Sequence, residues 1–148
     1  MKKSIIIWLV LGLLLVGCNE VATISLEDME KVEMELINAE EEEDGIHYQI
    51  QLTNDSDHVI EYYNMYVGYS IKLEDGRKES PYKIEVTPNE LSIQPGEEVL
   101  LTVFAPYEGL AGEDTLDFNQ LEVKLVGYFN EVSGETMFSM GRSFLLNE

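Results

Sequence analysis

The chain has 148 residues, with 29 acidic side chains against nine Lys and Arg, for a formal charge of −20. Phosphate binding needs a basic face, so this balance excludes nucleic acid as a partner and makes anionic lipid headgroups repulsive. A single cysteine leaves no disulfide framework, so an exported domain built from this chain must stand on its hydrophobic core.

Lys2 and Lys3 precede Ile5 to Val16, a run of twelve residues that is apolar except for Gly12. A short positive region followed by such a run is the pattern of a secretory signal helix. Asn19 and Glu20 end it well short of the ~20 residues that a bilayer-crossing helix needs. The run closes on Leu15-Val16-Gly17-Cys18. This resembles the lipobox of bacterial lipoproteins, with an aliphatic residue three positions before the cut, a small residue before it and cysteine after it.

The resemblance implies cleavage between Gly17 and Cys18, a diacylglycerol thioether on Cys18, and a further acyl chain such as palmitate on the new N-terminus. A thiolate is the side-chain nucleophile suited to that alkylation. Two or three chains, at ~0.8 kcal/mol per buried methylene, hold a protein on a membrane where one would leave it exchanging. The implied location is the bacterial cell membrane, lipid-anchored and facing the extracytoplasmic side. The alternative is a soluble secreted protein with an incidental cysteine. Residues 1–17 are thus read as signal, 18–31 as lipidated cysteine and tether, and 32–148 as the domain. Without Lys2 and Lys3, seven cations face 29 acids, a formal charge of −22. The 148 residues less 17 leave 131, a normal size for one domain.

From Val32 the period is two. Val32, Met34 and Leu36 alternate with Glu33 and Glu35 as a half-buried strand. The acid run Glu40 to Asp44 must be solvated, and Asp44-Gly45 predicts a hairpin turn. Ile46, Tyr48, Ile50 and Leu52 form the next inward face, closed by Asn54-Asp55-Ser56-Asp57. Val59 to Leu73 is the longest extended stretch. Tyr63, Met65, Val67, Tyr69, Ile71 and Leu73 lie on its apolar face, with Tyr62, Asn64, Tyr66, Gly68 and Ser70 opposite. Gly68 suggests a bulge. Asp75-Gly76 turns the chain, Pro81 marks Tyr82 to Val86 as an edge, and Pro95-Gly96 fits a type II turn before Val99, Leu101 and Val103. Gly109 to Asn119 reads as a polar crossover. Leu121, Val123, Leu125, Gly127 and Phe129 alternate strictly, and Met137 to Leu146 returns as the last strand.

Seven or eight short strands at turn spacings of roughly ten residues predict an all-β fold, an antiparallel immunoglobulin-like β-sandwich preceded by a hydrophobic signal helix. The only tryptophan is Trp8, inside the signal, so an antibody-type Cys-Trp-Cys core is not implied. The loop Leu52-Thr53-Asn54-Asp55-Ser56-Asp57, the long strand ending at Leu73-Glu74-Asp75-Gly76, and Leu91-Ser92-Ile93-Gln94-Pro95-Gly96-Glu97 before a β-run resemble small Ig-like domains of Gram-positive exported proteins. These include the domain family named after a Bacillus intracellular proteinase inhibitor. The resemblance implies the fold and transfers no reactive residue.

No catalytic constellation emerges. The histidines are His47, on the polar face of a strand, and His58, in a turn, and no GxSxG, HExxH, Walker or GxGxxG pattern occurs. An enzyme is therefore not expected, and neither is a cofactor. Asn54 to His58 begins like a calcium loop, but counting from Asp55 the fifth position is Val59 and the twelfth is Tyr66, where a glutamate is needed. Turn-forming Asx residues account for the same cluster, so no metal is expected. The remaining candidate is an outer aromatic face of Tyr62, Asn64 and Tyr66, suited to a glycan or a peptide, against the plainer reading of tyrosine as a good strand residue. The function expected is that of a lipoprotein whose acidic sandwich binds an envelope protein or extracellular ligand. The alternatives are a structural or protease-inhibitory module and, behind it, an envelope enzyme.

Overall fold

Alternating apolar residues build eight antiparallel strands: β1 (Val32–Glu41), β2 (Gly45–Asn54), β3 (Ile60–Leu73), β4 (Gly76–Lys78), β5 (Ile84–Glu85), β6 (Glu97–Pro106), β7 (Leu116–Phe129) and β8 (Met137–Leu145). The structure, a computed structural model, describes residues 24–87, 92–109 and 115–146. The segment read as a signal, with Gly17 and Cys18, lies outside the described residues. Among the described residues no helix is long and apolar enough to cross a membrane.

The strands form two sheets. One has the order β1-β2-β6; the larger has the order β4-β3-β7-β8, with β5 added against β3. Their facing sides make one core. Tyr48, Ile50, Leu52 and Leu101 come from the smaller sheet, and Tyr63, Met65, Tyr69, Leu121 and Leu125 from the larger. Each is an every-second residue of its strand, because successive side chains of a pleated strand point to opposite faces. Tyr48 and Tyr69 bury their hydroxyls against one another at 3.0 Å, so the polar tip of each ring is satisfied. Burial pushes both hydroxyls above the ordinary phenol range.

Three departures from strict alternation shape the edges and the turns. In β1 the register slips between Leu36, opposite Ile50, and Asn38, opposite Gln49. Ile37 is the extra residue and is exposed. Beyond it Ala39 and Glu41 stand opposite Tyr48 and Ile46, so the bulge turns a carboxylate toward the inner side. Glu41 accepts a hydrogen bond from the Tyr107 hydroxyl at 2.9 Å. Desolvation and then that bond push the Tyr107 hydroxyl up to about 12.

The second departure is Gly45, which does not supply a positive φ to the hairpin; among the described residues the glycines with positive φ are Gly76, Gly96 and Gly109. Gly45 already belongs to β2, and a Cβ there would lie 2.5 Å from the Ala105 carbonyl oxygen and 2.7 Å from the Phe104 ring. The Asp-Gly pair is therefore a close-packing requirement at the edge of the acid run.

The third departure is at the start of β7. The segment expected to be crossover up to Asn119 is strand from Leu116 onward. Ser70 pairs with Asp117 and Tyr69 with Leu121, so Phe118 to Gln120 of β7 form the excursion, and β3 runs through Gly68 without the bulge expected there. Asp117 is buried there. Arg77 Nε donates to its carboxylate at 2.7 Å and Lys72 Nζ lies 3.7 Å away. Burial works to raise the Asp117 pKa, but the Arg77 bond, the Asn119 N–H and the two cations outweigh it and hold it below the usual carboxylate range. At the far end of β3, Leu73 is 51% exposed, and the strand there pairs only with β4.

Ahead of β1, Leu26–Glu30 is a helix, α1. Ser25 caps it, with the Asp28 carboxylate returning to the Ser25 N–H, a capping box. Ile24 and Met29 pack against the core while Leu26 stays exposed. The C-terminal half of the stretch read as tether therefore folds onto the domain.

Candidate functional site

The outer face of the larger sheet carries the aromatic residues singled out in the sequence. Alternation along β3 turns Tyr62, Asn64 and Tyr66 away from the core, and all three are half-buried. Across the sheet Tyr62 stands opposite Tyr128, Asn64 opposite Val126, and Tyr66 opposite Lys124. β8 extends these rows with Met137 beside Tyr128, Ser139 beside Val126 and Gly141 beside Lys124. Tyr62 and Tyr128 meet edge to face, with ring centroids 6.4 Å apart. Such a pair fixes both rings and leaves part of each open to a ligand.

The face is not uniform along its length. At Gly68 the chain between β4 and β5 lies on it, and a Cβ at Gly68 would come within 2.9 Å of the Tyr82 carbonyl oxygen. Lys83 in that segment bonds Glu79. Between this arm and β8 lies a depression of about 230 Å³ walled by Glu79, Lys83, Glu122 and Lys124, with Ser139 and Gly141 on its β8 side. Lys83, by hydrogen bond and then by charge, holds the Glu79 carboxyl below its ordinary range. The depression is smaller than the 300 to 1,000 Å³ typical of pockets that enclose a small molecule.

Tyr66 sits at the boundary, opposite Lys124 and, on the other side, opposite Glu85 of β5. The structure therefore brings Tyr62 and Asn64 together with Tyr128, Val126 and Met137, and places Tyr66 among charges. Tyr128 and Met137 were missed as site residues. Their signal was present, since Tyr128 precedes Phe129 on the opposite face of β7, but which strand lies beside β3 is not written in either strand.

A second cluster joins α1 to the loop after β2. Asn54 Nδ2 donates to the His58 carbonyl at 2.8 Å and to the Ile93 carbonyl at 3.0 Å, while its Oδ1 accepts from the Ser56 N–H and hydroxyl. An ion entering this loop would have to displace those bonds. Asp55 and Asp57 point outward, and Asp57 is paired only loosely with Lys31, at 3.8 Å. Among the described residues no group of three His, Cys, Asp or Glu side chains is placed to hold a metal ion. The His58 ring lies between Asn130, 2.9 Å from Nδ1, and Asp28, 3.6 Å from Nε2, and packs against Phe129. Asn130, in the left-handed region at φ 60°, also accepts from the Val59 N–H. This cluster is the clasp that seats α1, with its polar groups used internally. His47, the other histidine, packs on Phe104 at the surface, 3.5 Å from Glu42.

No protein-family model matches the chain, and a search of curated proteins gives no match.

Proposed function

We propose that this chain is a bacterial lipoprotein, anchored through lipid on Cys18 to the extracytoplasmic side of the cell membrane, whose single Ig-like β-sandwich acts by binding an envelope protein or extracellular ligand. The observation that carries the reading is the run Leu15-Val16-Gly17-Cys18 at the end of an apolar segment, with the only cysteine of the chain at the position the lipid requires. The outer face of the larger sheet supports the binding half of the proposal. It sets the Tyr62–Tyr128 pair beside Val126 and Met137, an aromatic and sulfur-bearing surface of the composition that interface centres favour.

Cleavage and acylation both depend on the Cys18 thiol. Cys18→Ser should leave the protein unprocessed or released from the membrane fraction with its sandwich unchanged. A Ser variant that is trimmed to the mature mass and still partitions with membranes would show that lipid does not hold it. For the binding half, envelope extract passed over the immobilised wild-type protein should leave a protein that Tyr62→Ala and Tyr128→Ala together no longer retain. Equal retention by the double variant would remove this face from the proposal.

A further inference from the structure

β8 is the outermost strand of the larger sheet, and among the described residues no strand pairs with its far side. Phe129 N–H donates to the Thr136 carbonyl and Leu146 N–H to the Asn119 carbonyl, so the even-numbered residues of β8 turn their backbone groups to β7. By alternation Met137, Ser139, Gly141, Ser143 and Leu145 turn theirs to the open side. An open row of this kind is a template for another strand unless something guards it.

The usual guards are few here. β8 reads Met-Phe-Ser-Met-Gly-Arg-Ser-Phe-Leu, with no acid, no proline and one charge, Arg142, in a chain of 29 acids. Arg142 is turned to the inner side with its guanidinium 5.6 Å from the Phe144 ring centroid. Among the described residues every other sheet edge is charged, short or partly covered: β1 carries Glu33, Glu35, Glu40 and Glu41, β6 starts with Glu97 and Glu98, is bridged at Thr102 by Thr87 and ends at Pro106, β4 is three residues with Arg77 and Lys78, and β5 is two residues. For a strongly anionic molecule, β8 is the stretch that repels a second copy least.

The strand is also symmetric about its middle. Counting outward from Gly141, Met140 mirrors Arg142, Ser139 mirrors Ser143, Phe138 mirrors Phe144 and Met137 mirrors Leu145. We propose that β8 pairs antiparallel with β8 of a second copy of this chain, about a two-fold axis at Gly141. In that register the open backbone groups of the odd residues meet those of the other copy: Gly141 with Gly141, Ser139 with Ser143, Met137 with Leu145. Like faces fall on the same side, so Phe144 stands beside Phe138 of the second copy on the core side. The half-exposed Met137 and Leu145, at 54% and 60%, cover one another on the outer side. Gly141 at the axis leaves no side chain to face its own copy there.

The pairing goes beyond the binding role of the tyrosine face and does not depend on it. Where the lipid anchor also holds, it sets the posture. The two-fold runs normal to the sheet, and the six steps from Cys18 to Ile24 reach at most ~20 Å. Both anchors then meet one membrane when the strands lie along its plane.

Cross-linking of the full chain tests the register. Gly141→Cys puts two thiols at the axis, where a hydrogen-bonded pair has Cα atoms ~5.5 Å apart, within disulfide range. A Cβ at this position meets only ordinary contacts within its own copy, so the variant folds. Mild oxidation should yield a doubled mass from Gly141→Cys about tenfold more than from Ser139→Cys, which faces Ser143, or from the wild-type chain with Cys18 alone. As a second measurement, Ser139→Glu with Ser143→Glu sets like charges opposite each other twice and should lower the dimer fraction in sedimentation about tenfold, with an unchanged far-UV spectrum. Monomeric Gly141→Cys protein, equal cross-linking at 139 and 141, or a different protein captured on β8 in place of the second copy would each overturn the proposal.

Discussion

The two outer strands β1 and β8 end different sheets and show two treatments of the same liability. β1 presents acids at Glu33, Glu35, Glu40 and Glu41, breaks its register at Ile37, and aims Glu41 toward the inner side, where Tyr107 receives it. β8 runs nine residues in unbroken register with β7 and holds one charge. Acids raise the charge of a surface wherever they stand, but their placement also decides which edge is guarded against pairing. An edge is therefore specified as much by the residues it omits as by those it carries.

The contrast between these edges rests on the β7 register, and the largest effect is expected there. Leu125 is fully buried opposite Met140, so Leu125→Ala should lose about 2 to 5 kcal/mol of stability, while the exposed neighbour Lys124→Ala should change it by less than about 0.5 kcal/mol. Denaturant melts of the two variants check this. Comparable losses would shift β7 by one residue and with it the faces of β8.

The opposite side of the larger sheet supplies the next test. Asp117 has a folded pKa held below its unfolded value by Arg77 and Lys72, so its contribution is present above the unfolded carboxylate range, near 3.9, and is lost as pH falls through the depressed folded value. Asp117→Asn should therefore destabilise the protein at neutral pH and approach the wild type in strong acid. Melting curves across that window that stay parallel would remove Asp117 as a source of acid sensitivity.

Taking the guards off β1 sharpens the contrast directly. Glu33→Val with Glu35→Val leaves the core untouched, so stability should stay within about 0.5 kcal/mol, yet light scattering should report new concentration-dependent association. An unchanged monomer–dimer balance would mean that the acids of β1 guard nothing.

The smallest effect concerns the acids as a set. Screening of self-repulsion acts over ~10 Å at 0.1 M salt and is indifferent to which cation supplies it. Melting curves with calcium and with magnesium at matched ionic strength should nearly coincide. A saturable calcium-only rise that Asp55→Asn and Asp57→Asn abolish would make the Asn54 to His58 loop a binding site.

Much of this architecture was legible because strand faces follow a period of two. The cores of β2, β3 and β7 are the alternating residues read from the chain, and Gly76 and Gly96 turn it where Asp-Gly and Pro-Gly stand. What escaped is what leaves no local mark. Inserted residues can be of any type, so the one-residue slip at Ile37 and the three-residue excursion of Phe118 to Gln120 were invisible. Asp117 looked like loop because its partners, Arg77 and Lys72, lie some forty residues away in sequence. The candidate site divides the same way. The outward side of Tyr62 and Asn64 followed from alternation, whereas Tyr128, Met137 and the arm over Gly68 depend on strand order. Strand order is set by the whole core.

Amide hydrogen exchange on the full chain, measured across a range of protein concentration, tests the contrast between the edges most directly. The open-side amides of Ser139, Gly141 and Ser143 should gain protection as concentration rises, while the amides of β1 that face away from β2 should exchange at one rate throughout. Fast, concentration-independent exchange at all three β8 positions would contradict the pairing of β8 with its copy.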